Sequence, residues 1–252
     1  MPGPRGLYTR KYGQVLLKNL KVAAFEVSSL GLPEGSSVLE IGPGTGVITG
    51  LLLKAGFNVI AIEADHRFAE ELSTKFSDRI EEGRLSVIKG DFLEAQPSSF
   101  DGIVGNVPYQ ISSEIIFRLS SYTFSKAVLM FQKEFCQRLV ARPDTKDYSR
   151  LSVNAQLRYR VRIIANVSRN SFLPVPEVDS AVVEIIPRKE YEEMQIAAAD
   201  NIFKRLFSSR RKKISTVLKG IDSKYGEKRV GELSPEELLE MATRYLTGPH
   251  SP

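Results

Sequence analysis

A glycine-rich turn set directly behind an apolar strand signal constrains this chain more than any other feature. Val38-Leu39-Glu40-Ile41 runs into Gly42-Pro43-Gly44-Thr45-Gly46. Glycine at such a turn admits dihedrals closed to other residues and lets a ligand approach the main chain. Acidic Glu63 closes the next apolar run, Asn58-Val59-Ile60-Ala61-Ile62, where a carboxylate can accept from both hydroxyls of a ribose. The glycine spacing separates two ligand classes. A dinucleotide fingerprint, G-x-G-x-x-G, sets its third glycine beside a pyrophosphate. Here the third glycine comes one position early, and Val47 takes the dinucleotide place. The tighter turn suits a nucleoside ligand without a pyrophosphate, S-adenosylmethionine. Asp91, just past a third apolar run (Leu85 to Ile88), can accept from the adenine amino group of that ligand. Gly42, Gly44, Gly46, Glu63 and Asp91 are therefore the candidate cofactor residues. An ordinary strand-to-helix turn would explain one of these features, but not three successive strand ends each carrying the expected residue.

The surrounding pattern predicts the fold class. Strand signals at Ser37–Ile41, Asn58–Ile62, Leu85–Ile88, Asp101–Gly105 and Ala127–Phe131 alternate with helical patterns over 47–54, 67–76, 113–119 and 134–140. Alternation of this kind means βαβ units and a Rossmann-like, mostly parallel α/β sheet covered on both faces. Two further strand signals, Arg162–Val167 and Ala181–Ile186, have no obvious helix between them and suit an antiparallel hairpin at the sheet edge. Composition shifts at Pro187-Arg188-Lys189-Glu190, and only helical patterns follow. The expected division is a cofactor-binding catalytic domain over residues 1–188 and a small helical, RNA-binding domain over 189–252.

Counts narrow the function classes. The single cysteine, Cys136, excludes an internal disulfide framework and a cysteine-rich zinc site. The two histidines, His66 and His250, read as surface residues, so no metal is expected. No run approaches the ~20 apolar residues of a membrane-spanning helix. The basic N-terminus, MPGPRGLYTRKYG, has no apolar stretch behind it and reads as no signal peptide, which points to the cytoplasm. The net charge is +5. Its distribution says more: Lys204, Arg205, Arg210, Arg211, Lys212, Lys213 and Lys219 fall in one stretch without an acidic residue. Such a stretch suits a phosphate backbone, although charge runs are often only a solvated face.

The fourth strand ends in Asn106-Val107-Pro108-Tyr109. The exocyclic amine of adenine is a poor nucleophile because its lone pair is delocalised into the ring. Two acceptors aimed at the amine hydrogens localise that pair and stabilise the charge that grows as a methyl group arrives. The Asn106 side-chain oxygen and the Val107 backbone carbonyl are the natural acceptors, with Pro108 fixing the turn. Tyr109 can stack on the base and favour the cation from its π face. In Ser171-Phe172-Leu173-Pro174-Val175-Pro176, Phe172 could cover the other face, with core packing as the plainer alternative. A base held between two rings is flipped or single-stranded.

These residues resemble the universal small-subunit ribosomal RNA adenine dimethyltransferases. The resemblance runs from about Tyr12 to Leu218. It rests on Gly13-Gln14, Glu40 to Gly46, Glu63, Asp91, Asn106 to Ser113, Lys146 to Val153, Phe172 to Ser180 and Phe207 to Lys213. Lys146 to Val153 and the basic segment look most like archaeal members. The resemblance implies N6,N6-dimethylation of two adjacent adenosines in a hairpin near the 3′ end of small-subunit rRNA. It implies an immature small ribosomal subunit as partner and a monomeric enzyme. It also implies cofactor contacts from Gln14, Val15, Leu17 and Asn106, and phosphate contacts from Arg210, Arg211, Lys212 and Lys213. One departure stands out: where the family has Gly-Gln-(Asn or His)-Phe-Leu, this chain has Gly13-Gln14-Val15-Leu16-Leu17. Val15 offers only its backbone for a polar contact. The competing readings are an assembly factor that binds the immature subunit with methylation secondary, and a single-site large-subunit rRNA adenine methyltransferase.

Overall fold

A computed structural model describes residues 15–248. Gln14, and with it Gly13 and His250, lies outside the described residues. The strands are β1 (Leu16–Leu17), β2 (Ser37–Ile41), β3 (Asn58–Glu63), β4 (Leu85–Lys89), β5 (Gly102–Asn106), β6 (Lys126–Gln132), β7 (Tyr159–Val167), β8 (Phe172–Leu173) and β9 (Ser180–Pro187). The helices are α1 (Leu20–Leu30), α2 (Val47–Lys54), α3 (His66–Lys75), α4 (Ser77–Glu81), α5 (Ser112–Arg118), α6 (Lys133–Leu139) and α7 (Arg150–Arg158). They continue as α8 (Glu193–Ser208), α9 (Ile214–Val217), α10 (Ser223–Gly226) and α11 (Pro235–Thr247).

Seven strands form one sheet in the order β4-β3-β2-β5-β6-β9-β7. The first five pair in parallel and β9 runs antiparallel to β6. The expected α/β class is thus observed, with the two late strand signals at the sheet edge. Continuous apolar runs explain the parallel core: Val38 to Ile41 and Ala127 to Phe131 are buried throughout, as strands covered on both faces must be. Register then sets the strand ends side by side. Ile41 pairs with Ile62 and with Gly105, and Ile62 pairs with Ile88. The residues following β2, β3, β4 and β5 therefore gather at one edge of the sheet.

Local chemistry starts the helices there. Asp65 caps α3 by accepting from the Arg67 N–H at 3.0 Å, and its carboxylate also takes the Arg67 guanidinium. Asn19 caps α1 through Oδ1. Its Nδ2 donates to the Ser171 hydroxyl, while the Ser171 carbonyl accepts from the Lys18 N–H at 2.9 Å. These bonds continue the small antiparallel sheet of β1 and β8, in which Leu17 lies opposite Phe172.

The chain separates into two compact units: residues 1–136 with 162–186, and residues 137–161 with 187–252. This division departs from the expected 1–188 and 189–252, because 137–161 joins the second unit. Packing is the reason. Ala141, Tyr148, Val153 and Leu157 share a core with Ile196, Phe203, Leu206, Leu238 and Met241. Tyr148 is fully buried and its hydroxyl donates to the Leu233 carbonyl at 2.9 Å. Polar pairing reinforces the join between α7 and α8. Arg150 forms an ion pair with Asp200, Asn154 Nδ2 donates to the same carboxylate at 2.8 Å, and Arg158 pairs with Glu193. In the first unit no comparable polar seam is needed, since the sheet supplies the framework.

Asp200→Ala removes the carboxylate that both Arg150 and Asn154 address. We expect a loss of about 2 kcal/mol, discounted for partial exposure, read as a lower denaturation midpoint; an unchanged midpoint contradicts the role given to this network.

Candidate functional site

At the shared strand edge lies a cavity of about 280 Å³. That is far more than the roughly 30 Å³ that one water occupies, so it is a ligand space rather than a packing defect. Its lining includes Gly42, Gly44, Glu63, Asp91, Asn106, Val107, Pro108, Tyr109 and Phe172. The fold thus brings together residues read from five separate parts of the sequence. Val15 and Leu17 also line it.

Gly42, Gly44 and Gly46 all have positive φ (67°, 54° and 77°), the region that favours glycine. Their reasons differ. A Cβ on Gly44 would stand 3.0 Å from Leu16 Cδ2, so this turn and β1 approach closely. A Cβ on Gly46 would fall 2.5 Å from Leu72 Cδ1 and 2.8 Å from Phe76 Cε2. Gly46 is not among the residues that line the cavity. Its absence of a side chain serves the packing of α2 against α3.

Glu63 is buried, and both of its oxygens are engaged. Oε2 accepts from the Gly44 N–H and Oε1 from the Asp65 N–H, each at 2.9 Å. Burial raises its pKa, and these backbone donors oppose the rise. Asp91 is exposed; its Oδ1 accepts from the Leu93 N–H at 2.9 Å.

Asn106 ends β5, and its Oδ1 is buried without a hydrogen-bond partner among the described residues. Leaving a buried acceptor unmade costs about 1–3 kcal/mol, which makes it the clearest ligand signal in the cavity. The Val107 N–H donates to the Met130 carbonyl at 3.3 Å, fixing the turn to the neighbouring strand. Tyr109 is half-buried, and its hydroxyl shares a 2.7 Å hydrogen bond with the buried Ser180 hydroxyl. Burial is the first cause of its raised pKa, so the phenol stays neutral. Phe172 is 2% exposed and belongs to the core cluster, yet it also lines the cavity.

Sequence reading did not single out several of the lining residues. Leu16 and Met130 line the cavity, but nothing distinguishes them from core residues. Glu40 also lines it; it is fully buried, accepts from the Thr49 hydroxyl at 2.6 Å, and burial lifts its pKa to about 7. Beside it, Glu26 on α1 is fully buried with neither carboxylate oxygen hydrogen-bonded among the described residues. Burial, and secondarily the charge of Glu40, raises its pKa well above the usual range. A glutamate in an amphipathic helix ordinarily reads as solvent-facing, so no signal marked it.

The basic segment 210–213 forms a turn between α8 and α9 in the second unit. Arg210 is already engaged: its guanidinium donates to the Thr145 and Lys146 carbonyls at 2.6 and 2.8 Å. Lys213 pairs with Glu227 at 2.6 Å. Arg211 and Lys212 are exposed. The expected metal-free character rests on composition; among the described residues no group of three His, Cys, Asp or Glu could hold a metal ion. Cys136 is buried, and burial pushes its thiol up to about 12. His66 is exposed.

Set against known proteins, residues 7–243 match the family model described as ribosomal RNA adenine dimethylase. A probable ribosomal RNA small subunit methyltransferase A of Thermococcus gammatolerans is 38% identical over 248 residues, covering 92% of this chain and 87% of that protein. A probable dimethyladenosine transferase of Dictyostelium discoideum is 40% identical over 252 residues, covering 94% and 80%. Among solved structures, a dimethyladenosine transferase from Plasmodium falciparum has a TM-score of 0.80 at 32% identity, covering 90% of this chain and 95% of that one. The 23S rRNA methyltransferase ErmE has a TM-score of 0.71 at 27% identity, covering 92% and 100%.

Two outcomes follow from this geometry. Asn106→Ala should lower the rate of the chemistry by roughly one to two orders of magnitude without lowering the melting temperature; a variant that keeps its rate contradicts the assignment of Oδ1. For Glu26, the native state holds more protons than the unfolded chain above the ordinary carboxylate range, so its contribution to stability falls as pH rises. Glu26→Gln should therefore raise the melting temperature at about pH 8, with the gain vanishing near about pH 4.5; a gain independent of pH contradicts the buried-carboxyl reading.

Proposed function

Because this chain belongs to the ribosomal RNA adenine dimethylase family, and is an S-adenosylmethionine-dependent rRNA adenine N6-methyltransferase, we propose that it dimethylates two adjacent adenosines near the 3′ end of small-subunit rRNA. The proposed partner is an immature small ribosomal subunit, met in the cytoplasm by a monomeric enzyme. No helix among the described residues is long and apolar enough to cross a membrane. The single observation that carries the adenine reading is the buried, unpartnered Oδ1 of Asn106 in the cavity.

The residues present fit the cofactor. Gly42 and Gly44 bring backbone to the cavity edge, the Glu63 carboxylate lines it at the end of β3 where it would meet ribose hydroxyls, and Asp91 stands at the next strand end for the adenine amine. Val15 and Leu17 cover the methionine end in this reading. When bound, S-adenosylmethionine supplies an electrophilic methyl group. The chain's own part begins with acceptance: Asn106 Oδ1 and the Val107 carbonyl take the two N6 hydrogens of the target adenine and turn its lone pair out of conjugation. Tyr109, held by Ser180, faces one side of the base and Phe172 the other, and the rings favour the positive charge that grows on N6. With the methyl group supplied, the methylated amine would be left cationic and would lose its proton to water, so no general base is required of the chain. The second methylation needs a rotated amine with one remaining hydrogen, which a single acceptor can hold.

The small-subunit reading is favoured over a large-subunit target by a relative named for the small subunit and 38% identical across nearly the whole chain. Phosphate contacts fall to Arg211 and Lys212, with Arg210 bracing the loop that presents them. The test of the function is transfer of labelled methyl from S-adenosylmethionine to small subunits lacking the modification, followed by nucleoside analysis. N6,N6-dimethyladenosine is expected; monomethyladenosine alone, or label in large-subunit RNA, contradicts it. Replacing Arg211 and Lys212 with Ala should reduce the salt slope of subunit binding by about 2 with no change in melting temperature. Arg210→Ala should instead lower the melting temperature; an unchanged salt slope in the double variant removes the phosphate role.

A further inference from the structure

Residues 173–179 present an apolar surface that the chemistry described so far does not use. Leu173, Val175 and Val178 are 52%, 50% and 44% exposed. Large apolar side chains held in water within so short a stretch mark a contact surface more often than chance. The loop springs from two residues at the base site. Phe172, before it, lines the cavity; Ser180, after it, is hydrogen-bonded to the Tyr109 hydroxyl. The loop is thus anchored at both ends to residues beside the base site.

The loop is also braced. The Asp179 side chain accepts from the Arg169 N–H at 2.9 Å, and the Asp179 carbonyl accepts from the Lys133 N–H at 3.0 Å. Arg169 Nη1 donates to the Glu177 carbonyl at 3.2 Å. Leu173 is paired with Leu16 across the small sheet, and Pro174 and Pro176 fix two φ angles. Apolar side chains are thus presented with little conformational entropy left to lose.

Its chemistry separates two ways of meeting RNA. From Phe172 to Ser180 there is no lysine or arginine, and there are two acids, Glu177 and Asp179. A surface built for phosphates would have the opposite charge. Apolar side chains without cations suit base faces, as wedges that fill the place of an unstacked base do. Resting on the adenine reading above, we propose that Leu173, Val175 and Val178 form an apolar wedge that packs against the bases flanking the target adenosine and holds them apart once it is flipped. The loop would then decide which RNA presents its adenosine, while Asn106 decides what is methylated.

The test is methyl transfer by the full chain carrying Leu173→Ser, Val175→Ser and Val178→Ser together. Two substrates are used: unmodified small subunits, and a protein-free RNA hairpin with two adjacent loop adenosines. The exposed positions should leave the melting temperature and S-adenosylmethionine affinity unchanged. The value of kcat/KM for RNA should fall by at least about tenfold on both substrates, with an unaltered salt dependence. A hairpin whose nucleotides flanking the target are abasic should be methylated equally by wild type and variant, because nothing remains to be wedged apart. Equal kcat/KM in both proteins on ordinary RNA overturns the wedge and leaves the methyltransferase reading standing. A defect confined to intact subunits assigns the surface to a ribosomal protein and likewise overturns it. If the wild type methylates adenosine in neither substrate, the adenine reading itself fails, and the wedge with it.

Discussion

Parallel pairing of β2 with β3 and β5 is the constraint from which the site follows. It brings the ends of β2, β3, β4 and β5 to one edge, so Gly42, Glu63, Lys89 and Asn106 become neighbours although the chain separates them widely. Each strand hands its last residue to a turn with a different task. The turn after β2 exposes backbone, β3 ends in a carboxylate, and β5 ends in an amide. The Glu63 carboxylate then joins two of these turns by accepting from the Gly44 and Asp65 N–H groups. One residue therefore braces both the glycine turn and the start of α3. Without the register, the same residues are ordinary surface groups.

The unsatisfied Oδ1 of Asn106 gives that edge its chemistry. A folded chain rarely tolerates a buried acceptor with no donor, and here it stands where the cavity is bounded by Tyr109 and Phe172. Ser180 fixes the phenol of Tyr109, and β1 fixes Phe172 through Leu17. The two aromatic side chains are thus held from different parts of the chain. In the proposed function, an amine donor at Oδ1 would relieve a cost already present in the fold, and recognition and activation of the amine would rest on the same atom.

Much of this was legible in the sequence because it is local. Glycines at Gly42 and Gly44, the strand alternation, the Asn106-Val107-Pro108-Tyr109 turn and the edge strands all carry signals within a few residues. What escaped depends on distant contacts. Gly46 reads as a ligand residue until Leu72 and Phe76 are seen against it. Glu26 reads as a surface acid, since nothing near it in sequence says that its helix face is buried. Arg210 reads as a phosphate contact, and nothing near it in sequence shows that its guanidinium also donates to the carbonyls of Thr145 and Lys146. The boundary near 188 was visible as a change of composition, whereas the membership of 137–161 in the second unit depends on Tyr148, Val153 and Leu157 finding a core many residues later.

The central claim is that Asn106 Oδ1 reads the exocyclic amine of adenine. A double-mutant cycle tests it most directly: affinities of wild type and Asn106→Ala for an RNA hairpin carrying either adenosine or purine riboside, which lacks that amine, at the target position. The account predicts that wild type loses affinity when the amine is removed, while Asn106→Ala is indifferent to it. Equal losses in the two proteins would contradict it, because the amine would then be recognised by some other group.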